Sequence, residues 1–429
     1  MRQVYGDSLL FSHTGVENVN LHGQLRAFAS SLRDAGNSEV PRLTSWFDAF
    51  DALKGLVRKS SAGKKILFLD ELPWMDTPKS EFIPALEFFW NGWCSARSDV
   101  LLVVCGSATS WILNKILRSR GGLHNRVTEQ IWLRPFTLAE CEAYAEELNL
   151  RMSRFELAEA YMVLGGVPYY WSFLKPGLSL SQNIDSLLFA PDAKLRLEFG
   201  QLYASLFKRP EPYLQVVSAL SAKVSGLSRD EIAQACHLPD SGKLSTYLEE
   251  LEQCGFVRRY QPLGVRRKGY LTQLVDNFTL FHDRYLRENV RHDPNFWTNS
   301  LNTPLHRTWA GLAFERLCLL HVDEIKRALG ISGVQCNACC WRGEGAQIDL
   351  LLDRADRVVN ICEMKFCEGY YMLDKEEDLR LRTRREIFLK ATGCRKSAHL
   401  TLVTTNGPGS TKYQSVFQSV ITLDDLFRT

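Results

Sequence analysis

Two short runs, each with a continuous apolar stretch, most strongly constrain the fold of this chain. They are residues 64–70 (KKILFLD) and 100–107 (VLLVVCGS), and stretches of helical periodicity lie between them. Strands that are apolar on both faces and separated by helices are typical of a parallel sheet covered on both sides. The sequence therefore predicts an α/β fold from about residue 9 to residue 136, with a capped helix over 45–59 that begins at Ser45.

Composition excludes several classes of protein. Apolar residues make up 45% and charged residues 24% of the 429 residues, and the net charge of +3 gives no global basic field, so any nucleic-acid surface must be local. No run approaches the roughly 18 apolar residues of a membrane helix, and the first residues lack the apolar core of a signal peptide. The twelve scattered cysteines indicate reduced thiols in a cytoplasmic protein. We interpret the cluster Cys336, Cys339 and Cys340 as core thiols rather than zinc ligands, because no second pair follows at a suitable spacing.

Two acids follow the first apolar run. Asp70 and Glu71 stand at the predicted carboxyl end of a parallel strand, which is where ligands bind in open α/β sheets. Asp70 is placed to hold Mg²⁺ through water, and Glu71 to polarise an attacking water in phosphoryl transfer. The alternative is a strand followed by an Asp-Glu pair that only starts a helix.

Polar residues after the second run favour the catalytic interpretation. Ser107 follows the neighbouring strand and fits a sensor that bonds a γ-phosphate or the attacking water. Arg126 ends the loop GGLHNR, where an arginine can stabilise transition-state charge in a neighbouring subunit of a homo-oligomer. The alternative for Arg126 is a surface ion pair.

Several motifs, in order along the chain, resemble a family of prokaryotic AAA+/STAND-like P-loop ATPases. They are LDELPW at 69–74, GSATSW at 106–111, GGLHNR at 121–126, LRPF at 133–136 and GGVPY at 165–169. The resemblance implies a nucleotide-binding core that uses ATP and Mg²⁺, a helical lid, a winged helix and a C-terminal domain.

One departure from the family concerns the phosphate-binding loop. Family members place a GxxxxGK[ST] loop before the region that matches Leu9, and no such loop occurs in this sequence. We therefore expect an N-terminally truncated P-loop NTPase-like sheet with exposed strand edges, no cofactor-binding Walker A residues, doubtful ATP binding and impaired hydrolysis.

Residues 227–274 have the pattern of a helix, a turn, a second helix and a hairpin. Ser228 and Glu231 predict a capping box at the start of the first helix. In a winged helix that binds DNA, the second helix enters the major groove and the hairpin tip contacts phosphate. The candidate contacts are Lys243, Ser245, Thr246, Arg266, Arg267 and Lys268. Glu249, Glu250 and Glu252 would repel phosphate, so a structural or docking role stays open.

The C-terminal region holds an acid-rich pattern on two predicted strands. Asp349 lies on residues 347–352, and Glu363 and Lys365 lie two apart on residues 358–365, so they share one side of their strand. Two carboxylates and a lysine suit metal-assisted phosphodiester cleavage. The D…ExK pattern resembles the restriction-endonuclease-like PD-(D/E)xK fold, and the resemblance implies that Glu315, on a preceding helix predicted over 308–329, joins the metal ligands. The alternative is a surface Glu-Lys pair.

Together these patterns predict four regions. They are a truncated AAA+ core (1–136), a helical lid (137–209), a winged helix with a connecting helix (210–303) and a PD-(D/E)xK nuclease-like domain (304–429). Thr137 and Glu140 predict a capping box at the start of the lid. The first functional hypothesis is an ATPase switch coupled to a DNA-associated output. The others are a metal-dependent nuclease with a scaffold N-terminal domain and a non-enzymatic regulator that binds DNA or protein.

Overall fold

The computed structural model describes residues 2–107, 109–117, 121–123, 125–207, 209–223, 225–264, 269–287, 293–343 and 345–428. The chain is a mixed α/β protein that divides into two compact units, unit 1 (Met1–Trp132) and unit 2 (Leu133–Thr429). Every described helix is too short or too polar to cross a lipid bilayer.

Unit 1 is built on a three-stranded parallel sheet, as the apolar runs predict. Its strands are β1 (Leu9–Thr14), β2 (Lys65–Asp70) and β3 (Val100–Val104), in the order β1-β2-β3. The helices of unit 1 are α1 (Arg2–Tyr5), α2 (Leu21–Asp34), α3 (Trp46–Lys59), α4 (Leu72–Met75), α5 (Phe82–Gly92) and α6 (Thr109–Ile112).

The core of unit 1 is aromatic. Phe28 of α2, Trp46 and Phe50 of α3 and Phe89 of α5 are almost completely buried, and the Phe50 and Phe89 rings stack with centroids 4.9 Å apart. The predicted cap at Ser45 is confirmed, since its side chain and that of Asp48 form a reciprocal capping box. The cap fixes the start of α3 and so orients its aromatic face toward the sheet.

The strand β3 is less buried than its sequence predicts. None of its five apolar residues is fully buried, and Leu101 is 44% exposed. Within the described residues β3 pairs only with β2. The prediction of a buried strand is therefore wrong, because apolarity on both faces does not tell how many neighbours a strand has.

Unit 2 begins with a layer of helices. Thr137 and Glu140 form the predicted capping box at the first of them. The helices are α7 (Leu138–Glu147), α8 (Arg154–Leu164), α9 (Pro168–Trp171), α10 (Leu180–Ile184), α11 (Glu198–Leu206) and α12 (Glu211–Ser221).

A helix-turn-helix followed by a hairpin comes next. Its elements are β4 (Leu227–Ser228), α13 (Arg229–Ala235), α14 (Gly242–Gln253), β5 (Val257–Tyr260) and β6 (Leu271–Leu274). The three strands form an antiparallel sheet in the order β4-β6-β5. The predicted capping box of Ser228 and Glu231 is confirmed.

The end of unit 2 is a five-stranded mixed sheet with the order β11-β10-β9-β8-β7. Its elements and the helices before them are α15 (Asn277–Phe281), α16 (Phe296–Ser300), α17 (Pro304–Leu320), α18 (Val322–Ala328), β7 (Cys336–Gly343), β8 (Ala346–Arg354), β9 (Val358–Lys365), α19 (Lys375–Thr392), β10 (Ser397–Thr404), β11 (Ser419–Thr422) and α20 (Leu423–Leu426). The strands β7, β8 and β9 form an antiparallel meander, and β10 and β11 continue in parallel. The single helix predicted over 308–329 is two helices, since α17 ends at Leu320.

Helices cover both faces of this sheet. Phe314 of α17 packs in one core with Leu350 and Leu352 of β8, and Phe388 of α19 packs in a second core with Leu351 of β8 and Ile361 of β9. The alternation of β8 side chains between the two cores follows from the two-residue period of a strand. The helices α7 and α8 share the first core with α17, so the predicted lid region and the C-terminal sheet have a common interior.

Candidate functional sites

Asp70, Glu71 and Ser107 meet at the carboxyl edge of the sheet in unit 1. Asp70 ends β2, Glu71 follows it, and Ser107 lies just beyond β3. The backbone N–H and the hydroxyl of Ser107 both donate to Oε2 of Glu71, at 3.2 and 3.0 Å. The parallel register of β2 and β3 places these side chains together, which is the arrangement that the strand-end pattern predicts.

Asp70 accepts hydrogen bonds from uncharged groups. The thiol of Cys105 donates to Oδ1 at 2.6 Å, the N–H of Glu71 donates to the same oxygen at 3.1 Å, and the Thr14 hydroxyl lies 3.4 Å from Oδ2. Desolvation, followed by the Asp70 carboxylate, raises the pKa of Cys105 to about 12, so the thiol stays a donor. In the sequence, Cys105 is only one residue of an apolar run, so its role as a hydrogen-bond donor to Asp70 was not predicted.

The backbone around these acids is tightly constrained. Glu71 has φ 49° and ψ 51°, a left-handed conformation that non-glycine residues seldom adopt and that is enriched at functional sites. A Cβ at Gly15 would lie 2.6 Å from the Glu71 carbonyl oxygen, and one at Gly106 would lie 2.5 Å from Cδ of Pro73. The close approach of the Glu71 backbone to Gly15 and of the Pro73 ring to Gly106 therefore requires glycine at both positions.

Arg126 does not join these three residues within one chain. Its side chain is exposed, and its backbone N–H donates to the Leu123 carbonyl at 3.1 Å. Within the described residues, neither Asp70 nor Glu71 forms an ion pair with any Lys or Arg. The edge therefore presents two carboxylates whose charge is not balanced by a described cation.

A second cluster of acids lies in unit 2, on the face of the mixed sheet. Glu363 and Lys365 point to the same side of β9, and Nζ of Lys365 is 3.1 Å from Oε1 of Glu363. Leu350 pairs with Cys362, so one residue further along the same register sets Asp349 opposite Glu363. The strand spacing thus predicted their shared face correctly.

Glu315 of α17 faces the same cluster. Burial, followed by the charge of Asp349 and that of Glu363, raises the pKa of Glu315 to about 7, and Lys365 and Arg316 act in the opposite direction. The structure therefore brings together all four residues that the D…ExK pattern singles out. Their mutual effect is that of carboxylates sharing a half-buried site.

The acids of this cluster are not arranged around a metal position. No group of three His, Cys, Asp or Glu side chains in the described parts of the chain has the geometry to hold a metal ion. Glu363 instead forms a close ion pair with Arg384 of α19. The residue types fit Mg²⁺ or Mn²⁺, since both prefer carboxylate oxygen, but Glu363 would have to exchange its cation partners first.

Arg384 lies in residues 374–386, a mixed charge run that the sequence most simply predicts to be a solvated helix face. That interpretation is wrong for part of α19, because the side chains of Arg384 and Glu377 are only 19% and 20% exposed. Glu377 lies 3.2 Å from Nζ of Lys365 and also pairs with Arg380. A mixed charge run carries no signal that one of its faces turns toward another charged cluster.

The candidate DNA contacts on α14 are partly engaged within the protein. Lys243 is exposed, the Ser245 hydroxyl accepts from Arg229 at 2.6 Å, and the Thr246 hydroxyl donates to the Gly242 carbonyl at 3.2 Å. Two acids that would repel phosphate also have partners, since Glu250 accepts from Tyr213 and Glu252 pairs with Arg259. The first turn of α14 therefore keeps Lys243 as an exposed polar side chain, and Glu249 further along is exposed as well.

The hairpin of β5 and β6 contacts the mixed sheet. The N–H of Leu263, just after β5, donates to the carbonyl of Cys340 on β7 at 2.9 Å. This contact favours the docking role that the sequence left open. Arg266, Arg267 and Lys268, predicted to contact phosphate, lie outside the described residues. Of the cysteine cluster on β7, Cys339 and Cys340 are buried and Cys336 is half-buried.

Comparisons with known proteins add little. No family model and no curated protein matches the chain. Among solved structures, the chain is similar to the Walker-type ATPase PABY2304 of Pyrococcus abyssi, with 15% sequence identity, a TM-score of 0.42, and coverage of 66% of this chain and 82% of that chain. At this distance the similarity says nothing about activity, so the functional proposals depend on the site geometry.

Proposed function

We propose that unit 1 is an ATPase-type module. The edge of its sheet formed by the carboxyl ends of the strands would bind Mg²⁺ and position an attacking water. The observation that carries the proposal is the double hydrogen bond from Ser107 to Glu71, beside Asp70. Glu71 needs one fixed orientation to polarise a water, and the two donors of Ser107 together with the constrained backbone supply it. A γ-phosphate would compete for the same Ser107 donors, which makes Ser107 a sensor.

The residues at this edge fit a hydrated Mg²⁺. Mg²⁺ keeps several waters and takes one or two carboxylates, and Asp70 offers oxygens that are bonded only to uncharged donors among the described residues. When bound, the ion would neutralise charge that develops on the transferred phosphoryl group. In this proposal Arg126 acts from a neighbouring copy, a role for which its side chain is exposed.

Calorimetry with ATP and Mg²⁺ tests this proposal. We expect weak, Mg²⁺-dependent binding in the wild-type chain, because the sequence has no phosphate-binding loop to add contacts, and loss of binding in Asp70→Ala. Asp51→Ala is the matched control, since Asp51 is a 68% exposed acid on α3 whose ion-pair partner among the described residues is Lys54. Absence of binding in the wild-type chain would contradict the proposal and leave unit 1 as a scaffold.

A second candidate function is metal-dependent cleavage of phosphodiester bonds by unit 2, acting on DNA. It is favoured by the convergence of Glu315, Asp349, Glu363 and Lys365 on one sheet face. The three acids would hold Mg²⁺ or Mn²⁺, which when bound supplies a nucleophilic water, and Lys365 would stabilise charge on the phosphate. Lys243 and the first turn of α14 would contribute contacts to the DNA backbone.

Cleavage of end-labelled DNA with Mn²⁺ tests this second function. We expect cleavage by the wild-type chain and none by Asp349→Ala or Lys365→Ala. Lys375→Ala removes an exposed lysine from the start of α19 and should leave cleavage unchanged. Equal cleavage by wild type and Asp349→Ala would show that the activity comes from elsewhere.

A further inference from the structure

A cleft in unit 2 lies between α17 and the helical segment that begins with α15. Its volume is about 280 Å³, which is close to the lower end of the range for small-molecule sites. Asn277, Leu280 and Arg284 line one wall, at the spacing that places side chains on one face of a helix. Arg284 lies on the π-helical turn His282–Leu286, an irregularity that is frequent at functional sites. Among the described residues, the acids of the two clusters take no part in this cleft.

The other wall of the cleft is one face of α17. Trp309, Ala313 and Arg316 recur there at intervals of three or four residues, so their side chains lie on the same side of the helix. The Trp309 ring is held by the rings of Phe281 and Tyr285, whose centroids are 5.6 and 5.9 Å away in edge-to-face geometry. The wall is therefore fixed in place and largely apolar, which suits an aromatic group.

Asn277 brings an unused hydrogen-bond acceptor to the cleft. The residue is 2% exposed, and its Nδ2 donates to the Tyr161 carbonyl at 3.0 Å, which fixes the orientation of the side-chain amide. Its Oδ1 is buried and accepts no hydrogen bond from the described residues. A buried carbonyl oxygen without a donor costs free energy, so a ligand that brings an N–H or O–H to this oxygen would be favoured.

The charges that line the cleft are positive. Arg284 is exposed, and none of the ion pairs in the described part of the chain includes it. The adjacent acid, Asp283, instead lies 3.6 Å from His282 and 3.9 Å from Arg287. Arg316 is a second cation in the wall, and no Asp or Glu among the described residues lines the cleft. The cleft therefore favours an anion over a cation or a neutral molecule.

We propose that this cleft binds a small aromatic carboxylic acid whose ring carries an N–H or O–H donor. The donor bonds to Oδ1 of Asn277, the ring lies against Leu280 and Trp309, and the carboxylate pairs with Arg284. Asn277 and Arg284 are about 10 Å apart along the helix axis, a distance that a bicyclic aromatic acid and the long arginine side chain span together. The site is independent of both acidic clusters, so it does not depend on the functions proposed above.

Binding of indole-3-propionate to the full chain, followed by a saturation-transfer NMR titration, tests the site. This probe has an N–H donor, an aromatic ring and a carboxylate, and we expect a Kd of about 0.1 to 1 mM for a ligand of its size. Two analogues each remove one contact. 1-Methylindole-3-propionate has no donor for Asn277, and indole-3-propionamide has no charge for Arg284, so each should bind about tenfold more weakly.

Substitutions in the cleft locate the bound probe. Arg284→Gln should weaken binding of the acid about tenfold and leave binding of the amide unchanged, because only the acid pairs with the arginine. Arg287→Gln is the matched control, since Arg287 is on the same helical segment, contacts Asp283 and Ser218, and does not line the cleft. Leu312→Trp places a large ring at the rim, where Leu312 is 38% exposed, and should abolish binding.

The outcomes decide between this site and its absence. Loss of affinity in Arg284→Gln and in Leu312→Trp, with the control unchanged, supports the proposal. Absence of binding at millimolar concentrations of the probe would overturn it, and so would binding that survives Leu312→Trp, because the probe would then lie elsewhere. Equal affinities for the acid and its N-methyl analogue would contradict the contact with Asn277. Circular dichroism checks that each variant is folded, and the analogues test the contacts without any substitution.

Discussion

The two acidic clusters of this protein are bound in opposite ways. At the sheet edge of unit 1, Asp70 and Glu71 accept from a thiol, hydroxyls and backbone N–H groups. On the sheet face of unit 2, Glu363 is bound by Arg384 and Lys365. Uncharged donors orient a carboxylate and leave its negative charge available to a ligand, whereas arginine and lysine neutralise that charge. The first cluster is therefore poised for a cation, and the second must first release one.

Removal of the carboxylate of Glu363 should have the largest effect. Glu363→Gln leaves Arg384 and Lys365 beside a neutral group in a mostly buried site, and we expect a loss of about 3 to 5 kcal/mol in the free energy of unfolding of unit 2. Urea denaturation followed by circular dichroism measures it, with the exposed Glu376→Gln as control. A loss below about 1 kcal/mol would show that the ion pairs of Glu363 contribute little to the stability of unit 2.

In unit 1 the segment beside the acids is held by close packing of Gly106 against the Pro73 ring. Gly106→Ala would place a methyl group 2.5 Å from the Pro73 ring, which cannot easily move, so we expect a loss of about 2 to 3 kcal/mol. Gly55→Ala on α3 meets no atom within 4 Å and should stabilise by about 0.5 to 1 kcal/mol. Thermal melts of both variants decide this, and equal shifts would contradict the close-contact explanation.

Glu315 sharpens the comparison through pH. Its folded pKa of about 7 lies above the usual 4.5, so the folded state binds the proton more tightly, and stability falls as pH rises from about 4.5 to about 7. Glu315→Gln should reduce the loss of stability between pH 5 and pH 8 by about 2 kcal/mol. Urea midpoints at both pH values measure it.

Glu159 of α8 is the control for this pH effect. Burial, followed by Glu156 and Glu368, raises its pKa to about 7 as well, so Glu159→Gln should act in the same direction. If Glu159→Gln changes the pH dependence of stability and Glu315→Gln does not, the pKa of Glu315 is not raised in the folded protein.

The smallest effect should come from Asp70. Asp70→Asn keeps an acceptor for Cys105, and no described cation loses an ion-pair partner. We therefore expect a stability change below about 1 kcal/mol. Its melting temperature, set beside that of Glu363→Gln, measures the contrast between the clusters. A loss as large as that of Glu363→Gln would erase the distinction between neutral and charged partners.

Much of the architecture was predictable. Local signals that depend on residues three or four apart form as predicted: Ser45 caps its helix, and Thr137 and Ser228 begin capping boxes. The shared face of Glu363 and Lys365 follows from strand period alone. Arg384 was not predictable as a partner of Glu363. The two are 21 residues apart, and the sequence does not tell which side of the helix with Arg384 packs against the sheet.

The amino-acid sequence by itself determined the parallel strands of unit 1, the helix starts and the acids at the strand ends, because each depends on local periodicity or on one turn of backbone. Tertiary structure alone decided that β3 is an edge strand, that Cys105 donates to Asp70, and that Arg384 closes on Glu363. These three outcomes depend on which elements become neighbours in space, and neighbours across the chain are set by the packing of whole helices and strands rather than by any short run of residues.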